Sequence, residues 1–122
     1  MSSLPQRVAR PSRILVVDDE EEVREILAET LEDFGYAVST AASGEEALPL
    51  LASGQGFDML ITDVRMPGMS GLELAEEVRR RWPQIKIVVI SGYFVPPTAP
   101  QRFLKKPFHM TELTTLVRAE LG

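Results

Sequence analysis

Short apolar runs alternate with amphipathic stretches along this chain. Ile14-Leu15-Val16-Val17 is rich in β-branched residues and stops at Asp18-Asp19-Glu20-Glu21-Glu22, which predicts a first strand. Val23, Ile26, Leu27, Leu31 and Phe34 then fall at spacings of three and four, one apolar face of a helix ended by Gly35. Glu20 to Glu22 suit the positive end of that helix. Tyr36 to Ala41 sets Val38 beside Ser39 and Thr40, the partly polar pattern of an edge strand. Ser43-Gly44-Glu45-Glu46 has the S-x-x-E form of a capping box and opens a second helix carrying Ala47, Leu48, Leu50 and Leu51. Pro49 lies past its first turn, where a proline costs up to ~3 kcal/mol unless the helix bends or is short. Gly54 and Gly56 end it, and Phe57 to Thr62 reads as the third strand. Leu72, Ala75, Val78 and Trp82 mark a third helix stopped by Pro83, with Trp82 as a packing residue. Ile85 to Ile90 is a fourth strand with Lys86 near its start, and Gln101 to Leu104 is a short fifth. From about Met110, Leu113, Leu116, Val117 and Leu121 line one side of a last helix.

Strands that alternate with helices predict a parallel sheet with right-handed crossovers and helices on both faces. The expected fold is a five-stranded doubly wound α/β domain. In such a sheet all strand C-termini share one edge, where ligands bind. The stretch Met59-Leu60-Ile61-Thr62-Asp63-Val64-Arg65-Met66-Pro67-Gly68 places Asp63 at that edge, because proline and glycine turn the chain after it. Asp18/Asp19, Ser91 and Lys105/Lys106 end strands one, four and five at the same rim. With the flavodoxin-like order 2-1-3-4-5 these four strand ends become neighbours.

Composition narrows the chemistry. The 122 residues carry a formal charge of −5 and no cysteine. An acidic chain lacks the basic face that nucleic acid or an anionic membrane needs, and a disulfide or thiolate metal site is excluded. No apolar run approaches the ~20 residues of a membrane span. Residues 1–12, with Pro5, Pro11 and two arginines but no apolar core, read as a disordered lead-in rather than a signal peptide, leaving 13–122 as the domain and the cytoplasm as the expected setting. Three carboxylates within a few ångström cannot all stay ionised without a cation. A hard divalent ion with oxygen ligands, Mg²⁺ or Mn²⁺, answers that need, and the lack of histidine and cysteine at the rim disfavours zinc. A metal, a lysine and a hydroxyl around a carboxylate would clamp a phosphoryl group, with Asp63 as nucleophile.

Four motifs carry a family resemblance: Val16-Val17-Asp18-Asp19-Glu20, Ile61-Thr62-Asp63-Val64-Arg65-Met66-Pro67-Gly68-Met69-Ser70-Gly71, Ile90-Ser91-Gly92-Tyr93 and Phe103-Leu104-Lys105-Lys106-Pro107-Phe108. In this order they resemble the receiver domain of two-component response regulators, over residues 13 to 121. The resemblance implies that Asp63 accepts a phosphoryl group from a sensor histidine kinase or histidine phosphotransfer protein. It implies Asp19, Asp63 and the backbone carbonyl of Arg65 as Mg²⁺ ligands, with Asp18 acting through water. Ser91 and Lys106 would contact the phosphoryl oxygens, Lys105 being a neighbour without that role. The Lys106-Pro107 peptide would be cis, and Phe103 would be the aromatic that responds to phosphorylation. Receivers catalyse only their own phosphorylation and dephosphorylation, so the expected output is a conformational signal to a downstream protein target rather than turnover of a substrate.

The chain departs from the family between Ser91 and Lys106. Receivers place a helix there, but Gly92-Tyr93-Phe94-Val95-Pro96-Pro97-Thr98-Ala99-Pro100 holds three prolines, which bias their predecessors away from helix. Nine helical residues reach only ~14 Å, and nine extended residues roughly 30 Å. The expectation is an extended crossing, with that helix absent or reduced to one turn and Tyr93, Phe94 and Val95 folded over the sheet. Ordinary dimerisation through this surface is then not expected, leaving a monomer or weak dimer. The ordering of this loop by phosphate would be the switch. The chain reads as a stand-alone receiver or one cut from a larger protein. His109, the one histidine, reads as an exposed helix-start residue rather than a phosphorelay group.

Three other readings compete. A Mg²⁺-dependent aspartyl phosphatase needs a second acid two places after the nucleophile, where this chain has Arg65. A flavin or dinucleotide module needs glycines or hydroxyls after strand one, where Asp18 to Glu22 would repel phosphate. A receiver-like interaction module that signals without phosphorylation is the runner-up on mechanism.

Overall fold

A computed structural model describes residues 10–92 and 102–122. Five strands, β1 (Arg13–Val17), β2 (Ala37–Ala41), β3 (Met59–Asp63), β4 (Lys86–Ser91) and β5 (Arg102–Lys105), form one parallel sheet in the order β2-β1-β3-β4-β5. The described helices are α1 (Glu21–Asp33), α2 (Gly44–Leu51), α3 (Gly71–Arg81) and α4 (Met110–Leu121). The expected lead-in falls almost wholly on residues 1–9. The expected extended crossing, its missing helix and its phosphate-ordered loop fall on 93–101. Both stretches lie outside the described residues.

Strand alternation builds two cores. Ile14, Val16, Met59, Ile61, Val88 and Ile90 pack with Leu27 and Leu31 of α1 and Leu113 and Val117 of α4. Leu15, Val17, Leu60 and Val89 face the other way, onto Ala47 and Leu51 of α2 and Leu74, Ala75 and Val78 of α3. The central strands are therefore apolar on both faces over Ile14 to Val17, Met59 to Ile61 and Ile87 to Ile90, as a sheet covered on both sides requires. β2 keeps only Ala41 fully buried, consistent with its place at the edge.

The helix starts follow local chemistry. Ser43 accepts the Glu46 N–H at 3.1 Å, but the Glu46 carboxylate takes the Ala42 N–H at 3.0 Å, one residue before the cap that the S-x-x-E pattern predicts. α2 runs only eight residues, which accommodates Pro49. Ser70 and Glu73 form a complete reciprocal box at α3, at 3.1 and 2.9 Å. Their Ser70-Gly71-Leu72-Glu73 sequence carries the same S-x-x-E signal as the first.

Two helical faces differ from expectation. Ile26 and Phe34 are each 52% exposed, because α1 buries the stripe through Leu27 and Leu31 and Ile26 lies about 100° around the axis from Leu27. Leu72 is likewise exposed, and Leu74 takes its place in the core beside Ala75 and Val78. Trp82 packs against the α2–α3 core as expected, with the Arg81 guanidinium 4.5 Å above its ring.

Candidate functional site

The strand order puts the C-terminal ends of β1, β3, β4 and β5 in a row. Asp63 is the last residue of β3 and shares the pleat parity of Met59 and Ile61, which face α1 and α4. Asp18 and Lys106 stand at the same two-residue offset from Val16 and Leu104. The alternation that buries those apolar side chains thus delivers the acids and the lysine to one side of the rim.

Carboxylate oxygens of Asp18, Asp19 and Asp63 all lie within 4.8 Å of one another. Asp18 and Asp63 are buried and Asp19 is exposed. The Lys106 ammonium reaches Asp63 Oδ1 at 3.3 Å. Burial raises the Asp18 carboxyl above its usual range. The Glu20 N–H bond lowers it, the Asp63 charge raises it, the Lys106 charge lowers it and the Asp19 charge raises it. Two buried acids held against an exposed third, with no histidine or cysteine in the cluster, make a donor set that suits a hard divalent cation.

Backbone contacts fix these groups. The Glu20 N–H donates to Asp18 Oδ1 at 2.9 Å, which turns the chain into α1. The Arg24 guanidinium donates to the Asp18 carbonyl at 2.8 Å; no sequence signal marks this contact, made across the first turn of α1. The Lys106 N–H donates to the Ser91 carbonyl at 2.8 Å, and the Lys106–Pro107 peptide is cis. After Asp63 the chain loops back so that the Gly71 N–H meets the Val64 carbonyl at 2.8 Å. Only glycine fits there, since a Cβ on Gly71 would run into the backbone carbonyl of Asp63.

Asp63, Val64, Arg65, Ser91, Gly92 and Lys106 line an open cleft of ≈ 470 Å³. Ser91 is buried at the end of β4, and Lys105 is exposed beside it in register. Phe103 pairs with Val89, two residues before Ser91, and is half-buried against the α2–α3 core. His109 is exposed and precedes α4, its N–H held by the Glu112 carboxylate at 2.8 Å. Asp18, Asp19, Asp63, Arg65, Ser91 and Lys106 therefore gather at one rim, with Phe103 set along β5 below it. Among the described residues, no helix is long and apolar enough to cross a membrane.

A family model for the response regulator receiver domain matches residues 14–118. The sensor kinase CckA of Brucella abortus is 39% identical over 88% of this chain, which spans 12% of that protein. The transcriptional regulatory protein FixJ of Azorhizobium caulinodans is 40% identical over 88% of the chain, which spans 54% of that protein. Response regulator TrrA of Thermotoga maritima, solved with Mg²⁺-BeF, superposes with a TM-score of 0.82 at 40% identity, covering 90% of this chain and 99% of TrrA. TrrA in complex with histidine kinase ThkA gives a TM-score of 0.81 at 40% identity, with 91% and 99% covered.

Proposed function

The chain belongs to the response-regulator receiver domains, a family of phosphoacceptor signalling modules, and on that footing we propose that Asp63 is its phosphoacceptor. One observation carries the assignment: the Asp63 carboxylate stands between the Lys106 ammonium at 3.3 Å and the Asp18/Asp19 pair within 4.8 Å, beside an open cleft.

In the proposed step an Asp63 carboxylate oxygen attacks the phosphorus of a phosphohistidine. A P–O bond forms, the P–N bond breaks, and the imidazole leaves with the electron pair. Lys106 offers its positive charge to the transferring oxygens, and Ser91 offers its hydroxyl from the facing wall. Asp18, Asp19, Asp63 and the Arg65 backbone carbonyl would hold a Mg²⁺ or Mn²⁺ ion, whose chemistry is to neutralise charge on the phosphoryl oxygens. The chain is then a signalling phosphoacceptor whose only catalysis is its own phosphorylation and dephosphorylation. Ser91 and Phe103, on the same side of neighbouring strands, form the responsive pair that passes the charge change to β5.

A histidine kinase or histidine phosphotransfer protein is the proposed donor, in line with the kinase-bound form of TrrA, and a downstream protein is the proposed recipient. A cytoplasmic setting belongs to this reading. So does a monomer or weak dimer, since Ile26, Phe34 and Leu72, the exposed large apolar side chains among the described residues, come from three separate helix positions. The test is mass spectrometry after treatment with acetyl phosphate, with and without Mg²⁺, on the wild type and Asp63→Asn. Gain of one phosphoryl group that needs both the metal and Asp63 is expected. Equal labelling of Asp63→Asn would overturn the assignment.

A further inference from the structure

Two glutamates stand in the first turn of α2, and they take different partners. Glu46 closes the turn at Ser43 and Ala42. Glu45 instead reaches across to the loop between β3 and α3, where its Oε2 accepts the Met69 backbone N–H at 3.1 Å, 24 residues away in sequence. The approach is close on both sides. Gly68 has φ +77°, and a Cβ there would lie 2.8 Å from Glu45 Oε2; a Cβ on Gly44 would lie 2.8 Å from the Met69 sulfur. Left-handed backbone at Gly68 and the missing side chain at Gly44 therefore leave the room in which helix and loop meet.

This bond ties down the loop that carries Arg65. At its base the loop is closed by the Gly71–Val64 backbone bond. Along its length Met66 is buried in the α2–α3 core and Met69 packs against it. Glu45 adds the polar tie at the far end, a charge-assisted bond to a backbone N–H.

We propose that Glu45 is a positioning residue for the cation: by holding the Met69 amide it fixes the path of residues 64–70, and so the Arg65 carbonyl, relative to Asp18, Asp19 and Asp63. The inference rests on the phosphoacceptor reading. Supporting groups behind metal ligands commonly alter affinity by 10- to 100-fold. Glu45 acts through an exposed loop that also has apolar anchors, so a smaller change of about three- to tenfold is expected.

The test compares the wild type, Glu45→Gln and Glu45→Ala. Amide exchange at Met69 is followed in the metal-free protein, Mg²⁺ affinity by calorimetry, and the initial rate of phosphorylation by acetyl phosphate. Glutamine keeps the acceptor oxygen and loses the charge, and alanine loses both. Glu45→Ala should speed Met69 exchange about tenfold and weaken Mg²⁺ by the stated factor, and Glu45→Gln should recover most of both. Equal weakening in the two variants would mean that the charge attracts the cation at a distance, which overturns the positioning role. So would a Glu45→Ala protein with wild-type affinity. A wild type that binds no Mg²⁺ would overturn the underlying functional reading, and this inference with it.

Discussion

Asp18→Asn should make the metal-free protein more stable and the metal-loaded protein less so. The substitution is close to isosteric and keeps Oδ1 as acceptor for the Glu20 N–H, so the change is confined to charge. At 4.8 Å, the outer limit of the carboxylate spacing, two unit charges repel by about 3.5 kcal/mol at an effective dielectric of about 20. The open rim and the exposure of Asp19 reduce that figure, and losing the attraction between Asp18 and Lys106 offsets part of it. Relief of burying the charge acts in the same direction as relief of the repulsion. A net gain of about 1–2 kcal/mol remains, or roughly 3–8 °C in Tm for a domain of this size.

Ligand binding reverses the order. A ligand present at 100 times its Kd stabilises the wild type by about 2.7 kcal/mol, and removal of one acid takes away most of that gain. Thermal melts in chelator and in saturating Mg²⁺ should therefore cross, with Asp18→Asn above the wild type in chelator and below it in Mg²⁺. The pH dependence has a definite sign. The carboxyl of Asp18 is raised in the fold, so its ionisation costs stability as pH rises through that raised value, and the cost is gone below the unfolded-chain value. The advantage of Asp18→Asn in chelator should grow toward neutral pH and close in acid. A variant that is destabilised in chelator at neutral pH, or one that keeps the full Mg²⁺ increment, would refute the reasoning.

Lys106→Met removes a half-exposed cation 3.3 Å from Asp63 and should tighten Mg²⁺ about two- to fivefold while slowing phosphorylation; weaker binding by calorimetry would count against the electrostatic account. Gly71→Ala drives a Cβ into the Asp63 carbonyl, and since neither is a flexible side chain it should cost about 3 kcal/mol or more, read as a Tm drop of about 10 °C. Leu60→Ala, at a fully buried position between α2 and α3, should cost about 2–5 kcal/mol in urea unfolding with an unchanged slope.

The centre of the rim was legible because Asp18, Asp63 and Ser91 each stand where a buried strand run stops. Val16-Val17 stops at Asp18, Ile61-Thr62 at Asp63 and Val89-Ile90 at Ser91, and a parallel sheet brings such stops together by topology alone. Helical faces were read less well. A spacing of three or four admits Ile26 and Leu27 to the same stripe, although α1 can turn only one of them fully into the core. The contacts of Arg24 with the Asp18 carbonyl and of Glu45 with the Met69 amide had no local signature. Each joins a side chain to a backbone group, and the backbone partner's identity leaves no trace in the residue type.

The two halves of the rim rest on different foundations. β1 and β3 lie inside the sheet, and Ile14 to Val17 and Met59 to Ile61 are essentially without solvent exposure, so two cores at once hold the backbones that end in Asp18 and Asp63. Moving either acid means disturbing both cores. Lys106 follows β5, a four-residue edge strand with exposed Arg102 and Lys105 and half-buried Phe103 and Leu104. Its ties inward include the β4 ladder, partial packing of Phe103 and Leu104 on the two cores, the Arg102–Glu120 pair, the Ser91 carbonyl and the Asp63 ion pair. Added charge on Asp63 therefore meets a rigid wall on the acidic side and a compliant one on the lysine side. Local rearrangement takes the route of least buried contact, so on the proposed phosphoacceptor reading a signal generated at Asp63 is expected to leave through Ser91, Lys106 and Phe103 rather than through the acids.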